Sequence, residues 1–298
     1  MDKLTLFFDS WEFFAEAAIS GALAGALLGA LGIYILLGRI VFLSAALSQT
    51  ASAGVAFALW LPVLLGLNSQ ETTPWYMQPI LISFTLTLGV FLVASLVLRR
   101  AKFPDAILAA LYLGGGAATI LIGKQIIHEI QDVQQLLIGN AVLVEHNEYI
   151  GLIFITLILL GIMIYGHRGF ESASFWPDAS QVAGIPVTAL NLVKYVALVL
   201  AITYTTRMMG AMPVFALSCL PAVAARHAPN VRIMFFISLA IGACCGFVGY
   251  IFAFIFDFPV GPTQTALALV IVICCELFFT IWHSICSAGA LPRTPPKG

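Results

Sequence analysis

Charge is what this chain has least of. Lys, Arg, Asp and Glu make up 9% of its 298 residues, while 61% are hydrophobic. A water-soluble globule carries roughly a quarter charged residues, so that class is excluded. There is no surplus of either sign, since 13 basic and 14 acidic residues leave a formal net charge of −1. Without a basic patch, nucleic acid is excluded as a partner. Disulfides are not indicated either. Cys219, Cys244, Cys245, Cys274, Cys275 and Cys286 each fall within or at the end of an apolar run and read as free thiols. A phosphate-binding loop is also lacking. In the run from Gly114-Gly115-Gly116 to Gly123-Lys124, Ala118 stands where the motif needs Gly and Gln125 where it needs Ser or Thr. No nucleotide site is expected in this chain. The first apolar run follows Asp9, Glu12 and Glu16, the wrong charge for a secretory leader, so a cleaved signal is not expected.

Long apolar runs are what the chain has. A spanning helix needs roughly 20 mostly apolar residues. Runs of that kind place spans at about 13–37, 42–67, 79–98, 104–123, 148–166, 187–206, 209–225, 231–256 and 263–285. Backbone groups cannot stay unpaired in lipid, and the runs are continuous rather than alternating, so the spans are helices. The expected fold is all-α: a polytopic transmembrane helical bundle of about eight or nine spans, in one domain covering residues 1–298. Residues 287–298, with the sequence PRTPPKG at their end, read as a polar, mobile tail.

Nine crossings put the termini on opposite sides. With the C-terminus inside, Arg39, Arg99, Arg100, Lys102, Arg168, Arg226, Arg232, Arg293 and Lys297 are cytoplasmic, and Lys3, Lys124 and Arg207 are outside. That bias favours N-out, C-in. The outer side then collects Asp2, Asp9, Glu71, Glu129, Asp132, Glu145, Glu148 and Asp257, a rim that could concentrate cations. The Lys124–Glu148 loop is the longest outside, and its Asp132–Asn140 stretch reads as a short helix or a dip into the membrane.

Four features carry candidate chemistry. The loop 166–186 lies on the predicted cytoplasmic side. Pro177-Asp178 would open a short helix there and Gly184-Ile185-Pro186 would close it, as suits a helix lying along the membrane. Ser44, Ser48 and Ser52 recur every four residues on one face of the second span, with Gln49 and Thr50 beside it. That stripe fits a water-lined path, or close packing with hydroxyls bonded back to the preceding turn. Glu276 stands mid-way along the last span, beside Cys274 and Cys275, with Cys244 and Cys245 at similar depth in the span before. An ionisable group at that depth is a candidate site, and Glu276 with Cys245 and Cys275 could take a soft metal. Asp257 could meet a cation at the outer mouth, or simply cap the turn before Phe258-Pro259. His128, His146, His167, His227 and His283 are not read as halves of an i, i+4 zinc pair.

Several stretches, in order, resemble one known family. Leu37-Gly38-Arg39, followed by Ala46-Leu47-Ser48 and Gly54-Val55-Ala56, is similar to an Arg-to-Ser-to-Gly stretch in that family's second helix. Gln135–Asn140 (QLLIGN) is similar to its LFGN segment. The loop 166–186 with AGIPVTALNLV resembles its coupling-helix region. Gly210–Leu217 leading to Leu220–Arg226 resembles its run ending L-P-A-x-x-A, and Asp257–Gly261 its D-x-P-x-G turn. The family is that of metal-ion ABC transporter permeases, the bacterial zinc and manganese uptake type.

The resemblance implies the inner-membrane subunit of an importer of divalent metal ions (zinc, manganese or iron), working as a homodimer. Two cytoplasmic ATPase subunits would hold the ATP, and an external substrate-binding protein would deliver the cargo. The chain itself would hold no cofactor and do no covalent chemistry. Phe175, Trp176, Asp178, Gln181, Gly184 and Ile185 would receive the ATPase's push, and Ser44, Ser48, Gln49 and Ser52 would line the path. One departure concerns the cargo. The family's second helix carries an Asp and a His where this chain has Ala45 and Gln49. Carboxylate and imidazole are what a path uses to handle Zn²⁺ or Mn²⁺. Two alternatives therefore stand beside the first reading. One is an ABC importer of a chelated metal or small organic solute; the other is an ion-coupled secondary transporter using Glu276 and Asp257.

Overall fold

The fold is built on two helices that scarcely touch each other. A computed structural model describes residues 11–65, 78–98, 101–126 and 144–288. Among these residues every regular element is a helix. In chain order they are α1 Trp11–Leu37, α2 Val41–Leu64, α3 Pro79–Leu98, α4 Pro104–Ile126, α5 His146–Tyr165, α6 His167–Phe175, α7 Pro177–Val182, α8 Val187–Met209, α9 Ala211–Ala224, α10 Val231–Phe256 and α11 Val260–Ala288. In α1 and α2, 78% of the most apolar window is buried within the chain, against 6% in α11. So α1 and α2 form the centre, α8 and α9 pack between them, and α3, α4, α5 and α11 form the rim.

Small residues set how closely the helices approach. Gly21, Gly25 and Gly29 recur every four residues on α1 and face Gly246, Gly242 and Ser238 of α10, so the two helices run antiparallel. A Cβ added at any of these glycines would come within 3.0 Å of a carbonyl oxygen of the other helix. This is the close-packed seam that small residues at every fourth position allow in a membrane helix pair. The Ser238 hydroxyl closes one end by donating to the Gly29 carbonyl at 2.7 Å. On α2, Gly54 meets Ser83 of α3, whose hydroxyl donates to the Ala51 carbonyl at 2.9 Å. Gly115 of α4 lies against the backbone of Gln49 and Thr50.

Among the described residues eight helices are long and apolar enough to cross a membrane, in keeping with the eight or nine spans read from the sequence. The exception is the segment 209–225. α8 runs on to Met209, and Gly210 breaks the chain at φ 85 and ψ 165, backbone that only glycine adopts easily. What remains is α9, 14 residues long, or about 21 Å against a hydrocarbon core of roughly 30 Å. Apolar composition continues across Gly210, so hydropathy alone does not see the break. α9 still returns to the end where α1 finishes, because Ala222 and Ala225 pack with Ile33 and Met234. That end also carries α6 and α7. The Asp132–Asn140 stretch, the QLLIGN segment and residues 289–298 of the tail lie outside the described residues.

Candidate functional site

The link between α5 and α8 is two helices rather than one. α6 is amphipathic. Its His167, Phe170 and Ala173 are buried, with the Phe170 ring 5.6 Å from that of Tyr34 on α1. Two polar contacts fasten it. The Tyr34 hydroxyl meets His167 Nδ1 at 2.9 Å, and Lys194 Nζ, buried on α8, donates to Ser174 Oγ at 3.3 Å. Burial lowers the His167 pKa below its ordinary value, and Arg232 acts the same way, with Glu171 opposing them. The ring is therefore neutral at pH 7 and carries one proton.

α7 starts with Pro177 at its first position and Asp178 in its first turn, as the sequence suggests. It ends in a Schellman motif. Ile185 N–H donates to the Ser180 carbonyl and Gly184 N–H to that of Gln181, both at 3.0 Å, with Gly184 at φ 79. The Ser180 hydroxyl donates to the Ser172 carbonyl at 3.0 Å and folds α7 back on α6. Phe175, Trp176, Asp178, Gln181 and Gly184 are all exposed, Trp176 at 71%, while Ile185 is half-buried. Beside α7 opens a groove of about 720 Å³, lined by Arg39, Asp105, Pro177, Gln181, Asn191 and Tyr195 among others. Phe175, Trp176 and Val182 thus leave exposed apolar side chains on an otherwise polar link.

The serine stripe of α2 is internal. Ser44, Ser48 and Ser52 are buried within the chain, and the hydroxyls of Ser44 and Ser48 donate to the carbonyls of Val41 and Ala45. Thr50 does the same to Ala46. Hydroxyls bonded back to the preceding turn are what helix packing by small residues makes. Gln49 differs from them. Its Oε1 is buried with no hydrogen-bond partner and looks toward Gly116 of α4, where an added Cβ would sit 3.3 Å away.

The acid-and-thiol set does not converge. Among the described residues no three of His, Cys, Asp and Glu gather as metal ligands. Glu276 is not isolated in mid-span. Arg226 donates to its Oε2 at 2.5 Å, and His227 Nε2 lies 3.2 Å from Oε1, with the His227 ring stacked on Phe279. These partners sit on the turn between α9 and α10, so Glu276 lies at that depth and α11 continues past it. The sequence alone gave Glu276 no partner because Arg226 and His227 lie about fifty positions away in the chain. Cys245 is fully buried and Cys275 half-buried. Asp257 ends α10 at φ 55 and ψ 36, the left-handed cap conformation that Asp tolerates better than most residues.

At the opposite end, Arg207 pairs with Glu148 at 2.6 Å, and the Tyr204 hydroxyl donates to the Glu148 carbonyl at 2.8 Å. Glu16 meets His146 at 2.7 Å. The acidic rim is thus partly neutralised where it is described; Asp2, Asp9, Glu71, Glu129 and Asp132 lie outside the described residues. Sequence reasoning missed the two ties of α6. One signal was present, a lone Lys194 inside an apolar span.

Comparison with known proteins fits this architecture. The model of the ABC 3 transport family matches residues 10–280. A probable metal transport system membrane protein of Chlamydia pneumoniae is 26% identical over 253 residues, which cover 84% of this chain and 83% of that one. The manganese transport system membrane protein MntC of Halalkalibacterium halodurans is 23% identical over 297 residues, 98% of this chain and 95% of that one. Among solved structures, PsaBC from Streptococcus pneumoniae in complex with Fab aligns with a TM-score of 0.77 at 20% identity, over 91% of this chain and 95% of that one. At that identity the likeness speaks for the fold.

Proposed function

The chain belongs to the ABC 3 transport family, and from that premise we propose that it is the membrane-spanning subunit of an importer of divalent metal ions in a bacterial inner membrane. The observation that carries the reading is the exposed α7 patch on a helix pair tied to two different parts of the bundle. A cytoplasmic ATPase subunit pressing on Phe175, Trp176, Asp178 and Gln181 would displace α7, and α6 with it. The Tyr34–His167 contact hands that displacement to α1 and the Lys194–Ser174 contact hands it to α8. Because α1 and α10 meet backbone to backbone, they move as one body. Rocking of such bodies against each other alternates access. ATP is bound and hydrolysed in the partner subunit, a second copy of the chain completes the path, and an external binding protein delivers the cargo. The orientation is N-out and C-in, with α6 and α7 in the cytoplasm.

Ala45 and Gln49 favour a second reading of the cargo. Neither residue offers a charged or imidazole ligand, and the buried Gln49 Oε1 is a neutral oxygen acceptor. A metal that crosses as a chelate, or a small organic solute, needs no such ligand. Co-purification of the tagged chain from its membrane, with vanadate-sensitive ATP hydrolysis, tests the first reading. An associated ATPase with cargo-stimulated turnover is expected; a lone chain without ATPase would overturn it and turn attention to an ion-coupled transporter. Uptake of radioactive manganese and zinc, free and chelated, by the reconstituted complex then decides between the two cargoes.

A further inference from the structure

A cleft of about 290 Å³ opens where α5 ends and where α6 and α10 begin. Ile164, Tyr165, His167, Arg168, Arg232, Phe235 and Phe236 line it. It lies away from the α7 groove, which involves α2, α3, α4 and α8 instead. Its chemistry is two-sided. Arg168 and Arg232 are exposed and have no ion-pair partner among the described residues. Tyr165, 96% exposed, and Phe236, 52% exposed, continue the apolar surface that α5 and α10 turn outward.

Between the two halves sits an unpartnered buried donor. His167 is 8% exposed and its Nε2 has no hydrogen-bond partner. A buried phenol keeps a hydrogen bond for its proton, and Tyr34 has His167 Nδ1 at 2.9 Å. With Nδ1 accepting, the single ring proton is on Nε2. Glu171, the only acid on α6, has Oε2 4.0 Å away, beyond hydrogen-bond reach. The cleft therefore offers two guanidinium groups and one N–H, at the first turns of two helices of 9 and 26 residues, whose positive dipole ends add to the attraction for an anion.

We propose that this cleft binds the phosphate of an anionic phospholipid, with Arg168 and Arg232 on the phosphate oxygens, His167 Nε2 donating to the same group, and the acyl chains along Tyr165 and Phe236. Basic pockets between spanning helices take anionic headgroups in this way. The exposed apolar flank distinguishes a lipid from free phosphate, which has nothing to place there. Occupancy would pin the start of α6 to α10 and, through the Tyr34 hydroxyl, to α1. A lipid would thus stiffen the joint through which α7 moves the bundle.

Native mass spectrometry of the purified full chain tests this, in detergent with phosphatidylglycerol or phosphatidylcholine added. Preferential retention of phosphatidylglycerol is expected, together with a rise in unfolding temperature that phosphatidylcholine does not give. Inorganic phosphate should neither compete nor stabilise. Arg168→Gln with Arg232→Gln should reduce the preference roughly thirtyfold. Both arginines are exposed and have no ion-pair partner among the described residues, so the double variant keeps its fold; Lys102→Gln, exposed on the α3–α4 connection, should keep the preference. Equal retention of both lipids, an unchanged preference in the double variant, or displacement by inorganic phosphate would each overturn the lipid assignment.

Discussion

The α1–α10 seam and the α6–α7 pair hold together by opposite means. In the seam, glycines at every fourth position bring backbone against backbone, and no added methyl group fits. The α6–α7 pair is held by two side-chain hydrogen bonds and by the ring contacts of His167 and Phe170 with Tyr34 and Phe235, with the far surface of α7 open. Close packing gives a unit that cannot deform by degrees, because every displacement loses many contacts at once. A few hydrogen bonds, each worth about 1 kcal/mol net, give a unit that can shift and return. Under the proposed function, the difference would separate the parts that carry force from the part that receives it.

The largest effect is expected in the seam. Gly25→Leu should cost at least about 3 kcal/mol through overpacking against the Gly242 backbone, so that folded, monodisperse protein is lost on gel filtration. An unaltered elution profile and melting temperature would show that the seam yields. Next comes replacement of residues 178–184 by a flexible linker. Uptake should be abolished while the melting temperature stays near that of the parent, since α7 buries little beyond Ser180. Normal uptake in that variant would remove α7 from the coupling path.

Lys194→Met should sharpen the contrast further. It removes the tie to Ser174 and also the cost of burying an ammonium group, so stability should hold or rise while cargo-stimulated ATP turnover falls several-fold. A fall in both together would make Lys194 a packing residue only. The smallest effect concerns pH. Burial lowers the His167 pKa in the folded chain below the ordinary 6.5, so the unfolded chain binds the proton more readily. The stability this contributes is full above pH 6.5 and is lost as pH falls below it. His167→Gln should therefore show a shallower fall in melting temperature between pH 7 and pH 5 than the parent chain. Parallel curves would mean that another group dominates.

Much of the fold was legible because lipid leaves few choices. Scarce charge and long apolar runs dictate helices, and Pro177, Asp178 and Gly184 marked α7 by ordinary start and stop chemistry. The end of α8 was not legible, because Gly210 sits inside uninterrupted apolar sequence and its effect is a matter of backbone angle. The site was less legible still. The spacing of Ser44, Ser48 and Ser52 suits a wet path or a dry seam equally; what only the structure adds is that all three are buried within the chain and that the Ser44 and Ser48 hydroxyls bond back to the preceding turn. Glu276 looked like a lone acid in mid-span because its partners, Arg226 and His227, are about fifty positions away in the chain.

By itself the sequence determined the solvent, the helical class and the short helix between α6 and α8, since composition and local chemistry act over one turn or one span. Tertiary structure decided which polar groups have company. Tyr34 with His167, Lys194 with Ser174, Arg207 with Glu148 and Arg226 with Glu276 each join elements far apart along the chain. In a low-dielectric interior a polar group's behaviour is set by whatever lies within a few ångströms of it. That neighbourhood exists only once the helices have packed.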